Sequence, residues 1–166
     1  MKMILIVPLL LAAVFPVSPA SGQVATPLPT VELSFLLGPS EYDLSGVGTT
    51  FVVGSGIAYR PMPALYLEAS VNYFQYGTFQ YRFLFPEISI QAGIPLGRVF
   101  PYIGGGVGLS LPLNRSVQID QTLHVAGGLR VKATRVWGVR GELRIRAINP
   151  FAGNTADFVF GMSRGF

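Results

Sequence analysis

The last ten residues of the chain, 157–166, alternate between large and small side chains with a period of two, the pattern of a β-strand. The large side chains on one face are Phe158, Phe160, Met162 and Phe166, with Arg164 as the only charge among them. The side chains between them are mostly small: Val159, Gly161, Ser163 and Gly165. Two structures fit this pattern equally: an edge strand packed on a soluble core, or a strand that closes a β-barrel with an apolar outer surface.

The opposite end of the chain has the features of a secretory signal. Lys2 supplies a positive charge, and the stretch from Met3 to Val17 is apolar and uncharged. This stretch contains Pro8 and Pro16 and is shorter than the roughly 18 residues that a membrane-spanning helix needs. A signal peptide therefore explains it better than a transmembrane anchor.

Small residues define two positions for cleavage of this signal. The segments Ser18–Ala20 and Ala20–Gly22 each place small residues at the −3 and −1 positions. No cysteine follows that could accept a lipoprotein anchor. We expect a signal peptide over Met1 to Gly22, cleaved after Ala20 or Gly22, and a short leader over Gln23 to Thr30. The mature chain is then an exported protein of one domain, Val31 to Phe166.

The composition narrows the class of exported protein. Charged residues make up 12% of the chain, about half of the ~25% found in soluble domains. The absence of cysteine excludes a disulfide scaffold and thiol chemistry. No apolar run in the mature part is long enough to span a membrane as a helix. In lipid, the alternative that satisfies every backbone polar group is a closed β-barrel.

Alternation of this kind recurs along the whole mature chain. Eight segments show it: Val31–Leu37, Phe51–Arg60, Leu65–Tyr73, Phe83–Ile94, Tyr102–Ser110, Leu123–Lys132, Val139–Arg146 and Asp157–Phe166. In the fourth segment the apolar positions shift phase near Pro86, from Phe83 and Phe85 to Ile88 and Ile90. We expect a β-bulge there.

The connections between these segments alternate in length. Three are short: Arg60–Ala64, Pro95–Phe100 and Thr134–Trp137. Three are longer and rich in Gly, Pro, Asn, Asp and Ser: Gly38–Gly48, Leu111–Thr122 and Ile148–Ala156. The connection Phe74–Tyr81 is intermediate. Short turns at one end and longer loops at the other are typical of outer-membrane barrels.

Aromatic residues can also be assigned to girdles at the two ends. Those near the short turns are Tyr59, Phe100, Tyr102, Trp137 and Phe166, although Tyr102 also suits an inward position. Those near the long loops are Phe51, Tyr73, Phe83 and Phe158. Girdles of this kind mark the two membrane interfaces of a barrel.

The composition of the polar face decides which face is inside. It combines small residues with a compact set of Arg and Glu, which suits the narrow interior of an eight-stranded barrel better than the outside of a soluble, lipocalin-like one. Buried charges must be paired, so we predict an ion-pair network in the lumen: Glu68, Glu87, Arg130, Lys132, Arg140, Glu142, Arg144 and Arg146. The expected fold is all-β, an eight-stranded antiparallel up-and-down transmembrane β-barrel.

Three segments carry a resemblance to a known family. Pro101–Ser110 is similar to the PY-x-G-x-G-x-G strand of small bacterial outer-membrane β-barrel domains, of the OmpA-transmembrane-domain and OmpX type. Gly127–Lys132, followed by Gly138–Arg146, resembles their sixth and seventh strands, and Gly161–Phe166 resembles their closing G-x-S-x-x-F. The resemblance covers about Val31 to Phe166.

The resemblance implies a location and partners. The protein is expected in the outer membrane as a monomer, in contact with outer-membrane lipids and lipopolysaccharide. Phe166 is implied to be part of the signal read by the barrel-assembly machinery. The chain departs from the family at Arg164, where an aromatic or apolar residue is usual.

Other functional sites find little support in the sequence. Gly104–Gly108 continues as a strand and opens no helix, which argues against a dinucleotide fold. The net charge of +4 is spread over residues that alternate with Leu, Val and Ile, which argues against nucleic-acid binding. We identify no metal site and no cofactor site.

His124, the only histidine, is the one residue that suggests catalysis. Outer-membrane lipid A deacylases are also eight-stranded barrels and carry a His-x-Ser pair on the sixth strand. Here the residue two positions on is Ala126, so the nucleophile is missing, and Ser110 and Ser116 are poor substitutes. We expect a satisfied histidine in the lumen or at its rim and no catalytic residue.

The sequence therefore favours a non-enzymatic barrel with a structural or surface-recognition role, working through its longer loops. A lipid A-modifying enzyme of the deacylase type is the alternative. A narrow pore is a weaker one, because side chains fill eight-stranded interiors.

Overall fold

The computed structural model describes residues 31–42, 49–76, 81–113, 118–149 and 153–166. The predicted signal peptide and leader lie outside these residues. The eight strands are β1 (Val31–Tyr42), β2 (Thr49–Met62), β3 (Leu65–Tyr76), β4 (Tyr81–Gly93), β5 (Val99–Pro112), β6 (Asp120–Lys132), β7 (Trp137–Ile148) and β8 (Gly153–Gly165). In the residues described, no helix has the length and apolar character needed to cross a membrane.

Every strand pairs antiparallel with its neighbours in sequence, and β8 returns to β1, so the sheet is a closed barrel. At this seam Leu37 lies opposite Phe160, and Phe35 lies opposite Met162. Phe166 N also donates a hydrogen bond to Val31 O at 2.9 Å. Closure leaves no unpaired strand edge. The predicted eight-stranded architecture is confirmed.

The connections define two ends of the barrel. The short-turn end carries residues 63–64, 94–98 and 133–136, together with the start of β1 and the end of β8. The opposite end, called the long-loop end, is where β1 connects to β2, β3 to β4, β5 to β6 and β7 to β8. The predicted difference in length holds only in part, because two of these connections, 77–80 and 149–152, are no longer than the turn 94–98. The strands are longer than predicted at the long-loop end. β1, for example, continues through Gly38 and Pro39 to Tyr42. These two residues pair with β2.

The outward face of the barrel is apolar and the inward face is polar. Outward residues such as Leu33, Ile88 and Phe160 are about half exposed or more, while their strand neighbours Glu32, Glu87 and Val159 are buried. Most of the buried side chains are polar or charged. This arrangement is the reverse of a soluble barrel and fits strands that face lipid.

The bulge expected at Pro86 is wrong. β3 and β4 keep one register across this position, with Val71 opposite Pro86 and Tyr73 opposite Leu84. Phe85 therefore faces the lumen, where it is 1% exposed. The ladder between β2 and β3 instead shifts register between Tyr59 and Met62, beside the first turn.

The aromatic girdles need a related correction. Tyr59, Trp137 and Phe166 are exposed at the short-turn end as predicted. Tyr102 takes the inward position that its sequence also suits, and Phe100, against the prediction, is buried in the lumen. Phe83 also packs inward, against the buried cluster that contains Phe85. The reason is common to all three: they share the strand parity of inward polar residues.

Candidate functional site

The most organised group of side chains in the barrel is the set of charges in its lumen. Four come from a single strand, because alternate residues of β7 point to the same side. Arg140, Glu142, Arg144 and Arg146 are each at most 3% exposed. We use the term lumen network for these four together with Glu32, Glu68, Glu87, Arg130 and Asp157.

The lumen network begins near the short-turn end with Arg130. Its Nη1 lies 3.1 Å from Glu32 Oε2, and its Nη2 lies 2.7 Å from Glu68 Oε2. The same Glu68 oxygen lies 2.6 Å from Arg140 Nη1. Arg140 is also paired with Glu142 on its own strand. Two arginines thus connect carboxylates from β1, β3 and β7.

The network continues toward the long-loop end through Arg144, whose Nη2 lies 2.7 Å from Glu142 Oε1 and whose Nη1 lies 2.6 Å from Glu87 Oε2. Arg146 then contacts Glu87 through Nε at 2.5 Å and Asp157 Oδ2 through Nη1 at 2.8 Å. Ser40 Oγ donates a hydrogen bond to Asp157 Oδ1 at 2.5 Å. The ion pairs therefore run without interruption along the lumen.

Neutral side chains satisfy much of the remaining hydrogen-bonding capacity. Tyr66 donates its hydroxyl to Glu32 at 2.9 Å, and Asn72 donates to Glu87 at 2.9 Å. Tyr102 donates to Glu142 at 2.5 Å and accepts from Arg140 Nε at 2.8 Å. Buried charges are tolerated when they are both paired and hydrogen-bonded. This arrangement stabilises a filled interior.

Apolar groups pack at both ends of the network. Toward the long-loop end lies a cluster of Leu36, Val52, Phe74, Phe85 and Val159. Toward the short-turn end lies a second cluster of Ala58, Tyr66, Phe100 and Tyr102. The guanidinium of Arg146 lies 4.7 Å from the Phe85 ring centre, and that of Arg130 lies 4.5 Å from the Tyr66 ring centre, within cation–π range.

The structure brings together seven of the eight residues predicted for this network and separates one. Lys132, the last residue of β6, is half-buried, and no carboxylate in the described ranges lies within ion-pairing distance of it. Sequence reasoning missed Glu32 and Asp157 as members. Their position on the inward parity of β1 and β8 was the available signal.

His124 faces the lumen from β6 and is 5% exposed. Its Nδ1 lies 3.4 Å from Glu87 Oε1, but neither ring nitrogen has a hydrogen-bond partner in the part of the chain described. The expected lumen position is found, while the expected hydrogen bonds are not. Ala126 follows on the same inward face.

The other residues considered for catalysis or binding are placed as follows. Ser110 is buried on β5, opposite Asp120 and four positions from the partner of His124. Ser116 lies outside the described residues. Within those residues, no group of three or more His, Cys, Asp or Glu side chains is arranged to hold a metal ion.

The proposed assembly-signal residue Phe166 lies on the outside of the short-turn end and is 62% exposed. The guanidinium of Arg164 lies 5.2 Å from the centre of the Phe166 ring and 5.8 Å from that of Trp137. The single outward charge of β8 thus sits between two interfacial aromatic rings. Its aliphatic stem can remain against lipid while its charge reaches the headgroups.

No protein-family model matches the sequence, and no curated protein matches it. Solved structures do match the fold. Neisserial surface protein A superposes with a TM-score of 0.70 at 14% identity, covering 82% of this chain and 97% of the other.

Two further structures are similar. The N-terminal β-barrel domain of Pseudomonas aeruginosa OprF gives a TM-score of 0.61 at 15% identity, covering 84% of this chain and 98% of the other. Ail, the attachment invasion locus protein of Yersinia pestis, gives 0.58 at 10% identity, covering 84% and 100%. The chain therefore has the fold of the small eight-stranded bacterial outer-membrane β-barrels.

Proposed function

We propose that this protein is an integral outer-membrane barrel without a catalytic site, with a structural or surface-recognition role at its long-loop end. The observation that carries the proposal is the continuous lumen network, since an interior committed to ion pairs serves as a rigid scaffold. The recognition role falls to the connections β1–β2, β3–β4, β5–β6 and β7–β8, which follow and precede strand ends on this side of the scaffold.

The outward surface supports a location in lipid. A monomeric soluble protein rarely exposes an apolar patch above a few hundred Å², whereas here every strand exposes large apolar side chains on its outward parity, among them Phe35, Ile90, Ile103 and Val125. Two of the similar structures bear names that refer to a surface protein and to attachment and invasion. These names support a surface role for this chain.

The position of His124 argues against the enzyme alternative. A deacylase must present its base and nucleophile to lipid, yet the His124 side chain is buried in the lumen with Glu87 as its nearest charged neighbour. Ser110, the described candidate nucleophile, is also buried. Hydrolysis of an outer-leaflet lipid would require both groups on the opposite face of the sheet.

The filled lumen argues against the pore alternative. A conducting path would have to pass both apolar clusters and the network between them, where Phe74, Phe85 and Arg146 are at most 1% exposed. Eight-stranded barrels are in general just wide enough for their own side chains. We therefore expect no steady conductance in planar bilayers.

The proposal is tested by lipid A mass spectrometry on cells with and without the gene, combined with fractionation of their membranes. We expect the protein in the outer-membrane fraction and identical lipid A species in both strains. A lipid A species that depends on the gene would favour the deacylase alternative, and recovery in a soluble fraction would contradict the membrane location.

A further inference from the structure

The short-turn end of the barrel contains a cavity of about 40 Å³. The proposed structural or surface-recognition role at the long-loop end does not involve this cavity. Five cationic side chains line it, and Glu32 is the carboxylate among the lining residues. The cations are Arg60, Arg98, Arg130, Lys132 and Arg135. Such an excess of one sign in a concave site attracts ions of the opposite sign.

The most unusual residue of this cavity is Arg60, a buried cation. It projects from β2, is 8% exposed, and has no carboxylate within ion-pairing distance in the described part of the chain. Its Nη2 donates to the carbonyl of Pro63, and its guanidinium lies 5.1 Å from the Tyr66 ring centre and 5.5 Å from that of Phe100. A buried cation without a counter-charge is costly.

Two residues that line this cavity also carry a buried donor without a partner. Arg60 Nε and Arg130 Nε each have no hydrogen-bond partner within the described residues, and both side chains line the cavity. The charge of Arg130 is shared with Glu32 and Glu68, but that of Arg60 is not. Native structures rarely leave buried donors without a partner, and an ion or an ordered water bound beside them would supply one.

The other cations around Arg60 are progressively more exposed toward the outside of the cavity. Lys132 is half-buried at the end of β6, and the exposed Arg98 and Arg135 stand on the turns 94–98 and 133–136. Glu32 is engaged by Arg130 at 3.1 Å and by the Tyr66 hydroxyl at 2.9 Å, so a single carboxylate faces five cations at this cavity. Guanidinium groups match the geometry of tetrahedral oxyanions, with several N–H donors directed at adjacent oxygens.

We propose that the short-turn mouth of the barrel is a phosphate-binding site in which Arg60 is the buried anchor, assisted by Lys132, Arg98 and Arg135. The ligand chemistry is an anionic phosphate group, supplied either by a phospholipid headgroup of the adjacent leaflet or by a soluble phosphate. The exposed rings of Trp137 and Phe166 place this mouth at the level of lipid headgroups.

The chain carries its own reporter for the test. Trp137 is the only tryptophan, and it lines the same cavity. Refolded full-length protein in maltoside micelles is titrated with sodium phosphate, against sodium chloride at equal ionic strength, while Trp137 fluorescence is recorded. A second titration adds phosphatidylglycerol to the micelles, against phosphatidylcholine, in which choline offsets the phosphate charge.

We expect a saturable change in one or both titrations that the matched controls do not give. Saturation with inorganic phosphate identifies a soluble anion as a sufficient ligand, whereas saturation only with phosphatidylglycerol identifies the lipid headgroup. Arg60→Gln should raise the apparent dissociation constant by at least about tenfold, because it removes a buried charge-assisted contact. The more accessible Lys132→Gln and Arg135→Gln should each raise it by about threefold.

Arg82→Gln is the matched control, because Arg82 lies at the start of β4, at the opposite end of the barrel. It removes the same charge and should leave binding unchanged. If Arg60→Gln does not refold, the variants at Lys132 and Arg135 carry the test.

The proposal is overturned if neither titration saturates above its control, or if the cavity variants bind as wild type does. It is also overturned if Arg82→Gln weakens binding as much as they do. The inorganic phosphate titration does not depend on the membrane location, so its outcome is independent of the proposed function.

Discussion

Leu143 and Arg144 are consecutive residues of β7 that occupy opposite environments: Leu143 is 48% exposed on the outer surface, and Arg144 is 3% exposed in the lumen. Arg144 contacts Glu87 at 2.6 Å and Glu142 at 2.7 Å. Leu143 lies opposite Phe158 of the neighbouring strand. Substituting each of them in turn therefore tests which face of the sheet is inside.

We expect Arg144→Ala to lower the free energy of unfolding by roughly 3–5 kcal/mol, because it leaves buried carboxylates without their counter-ion. Leu143→Ala should cost much less, since it replaces one lipid-facing apolar group with a smaller one. Urea midpoints of protein refolded in lipid vesicles measure both. Equal midpoints, or a weaker Leu143 variant, would mean that the two faces are inverted.

A second prediction concerns close strand packing at Gly161. A Cβ placed there would lie 1.9 Å from Phe35 O of β1 and 2.6 Å from Leu36 Cδ2, so Gly161→Ala must push the β1–β8 seam apart. We expect a loss of about 1–3 kcal/mol or failure to close. Gly127→Ala is the control, since a Cβ there meets its nearest atom at 4.0 Å. The fraction of folded protein after refolding compares the two, and equal fractions would count against this close approach of β1 and β8.

A third prediction tests the register of that seam directly. The chain contains no cysteine, so a double variant carries only the introduced pair. Leu37→Cys with Phe160→Cys places two thiols on directly opposed residues, within the range that a disulfide requires. Leu37→Cys with Phe158→Cys is displaced by two positions and should cross-link far less. Mobility on non-reducing gels reads the result, and preferential cross-linking of the displaced pair would show a different register.

A fourth prediction concerns His124. Because its side chain is buried beside Glu87 and away from lipid, His124→Ala should leave the lipid A profile of expressing cells unchanged. The space left by the removed imidazole should lower the free energy of unfolding by about 1–3 kcal/mol. Mass spectrometry measures the first effect and urea unfolding the second. A lipid A species present with wild type and lost in the variant would refute the proposed non-enzymatic role.

A fifth prediction concerns Phe166. Its ring is exposed on the outside of the short-turn end, and truncating it removes no lumen contact. If the ring serves as part of the signal for the assembly machinery, Phe166→Ala should reduce the amount inserted in cells while refolding in detergent stays close to wild type. Trp137→Ala, an exposed aromatic at the same end, is the control. Wild-type insertion of the Phe166 variant would remove this role.

Much of the fold can be predicted because period-two alternation is a local property of each strand. The seam between Val31–Leu37 and the final strand follows from closure alone. The lumen position of Glu68, Glu87 and Arg140 follows from parity. These features need no knowledge of the distances between strands.

The wrong predictions arise where residue type outweighs parity. Phe83 and Phe85 suit an outward position because they are apolar, yet they keep the parity of Glu87 and pack toward the lumen. Gly38 and Pro39 suit a loop because they favour turns, yet β1 remains paired with β2 through them. An apolar cluster inside a polar lumen is a tertiary property that no single strand reveals.

In the candidate site, too, some features can be predicted from strand parity and others cannot. Sequence parity identifies the charges of β7, but the pairing of Arg130 with Glu32 joins residues 98 positions apart, and only the assembled barrel specifies it. The cavity beside Arg60 escapes prediction for the same reason. Its lining comes from strand ends and turns that are brought together only by closure.

The long sequence separation between partners in the lumen network has a consequence for how the barrel assembles. Arg140 reaches Glu68 across 72 positions of sequence, and Ser40 reaches Asp157 across 117, so no isolated hairpin contains the partners of all its own charges. The hairpin of β7 and β8 alone would carry Arg140 and Arg144 into hydrocarbon with one glutamate between them. These arginines reach their remaining carboxylates, Glu68 and Glu87, only when β3 and β4 are also in place, so we expect partly assembled sheets to be short-lived.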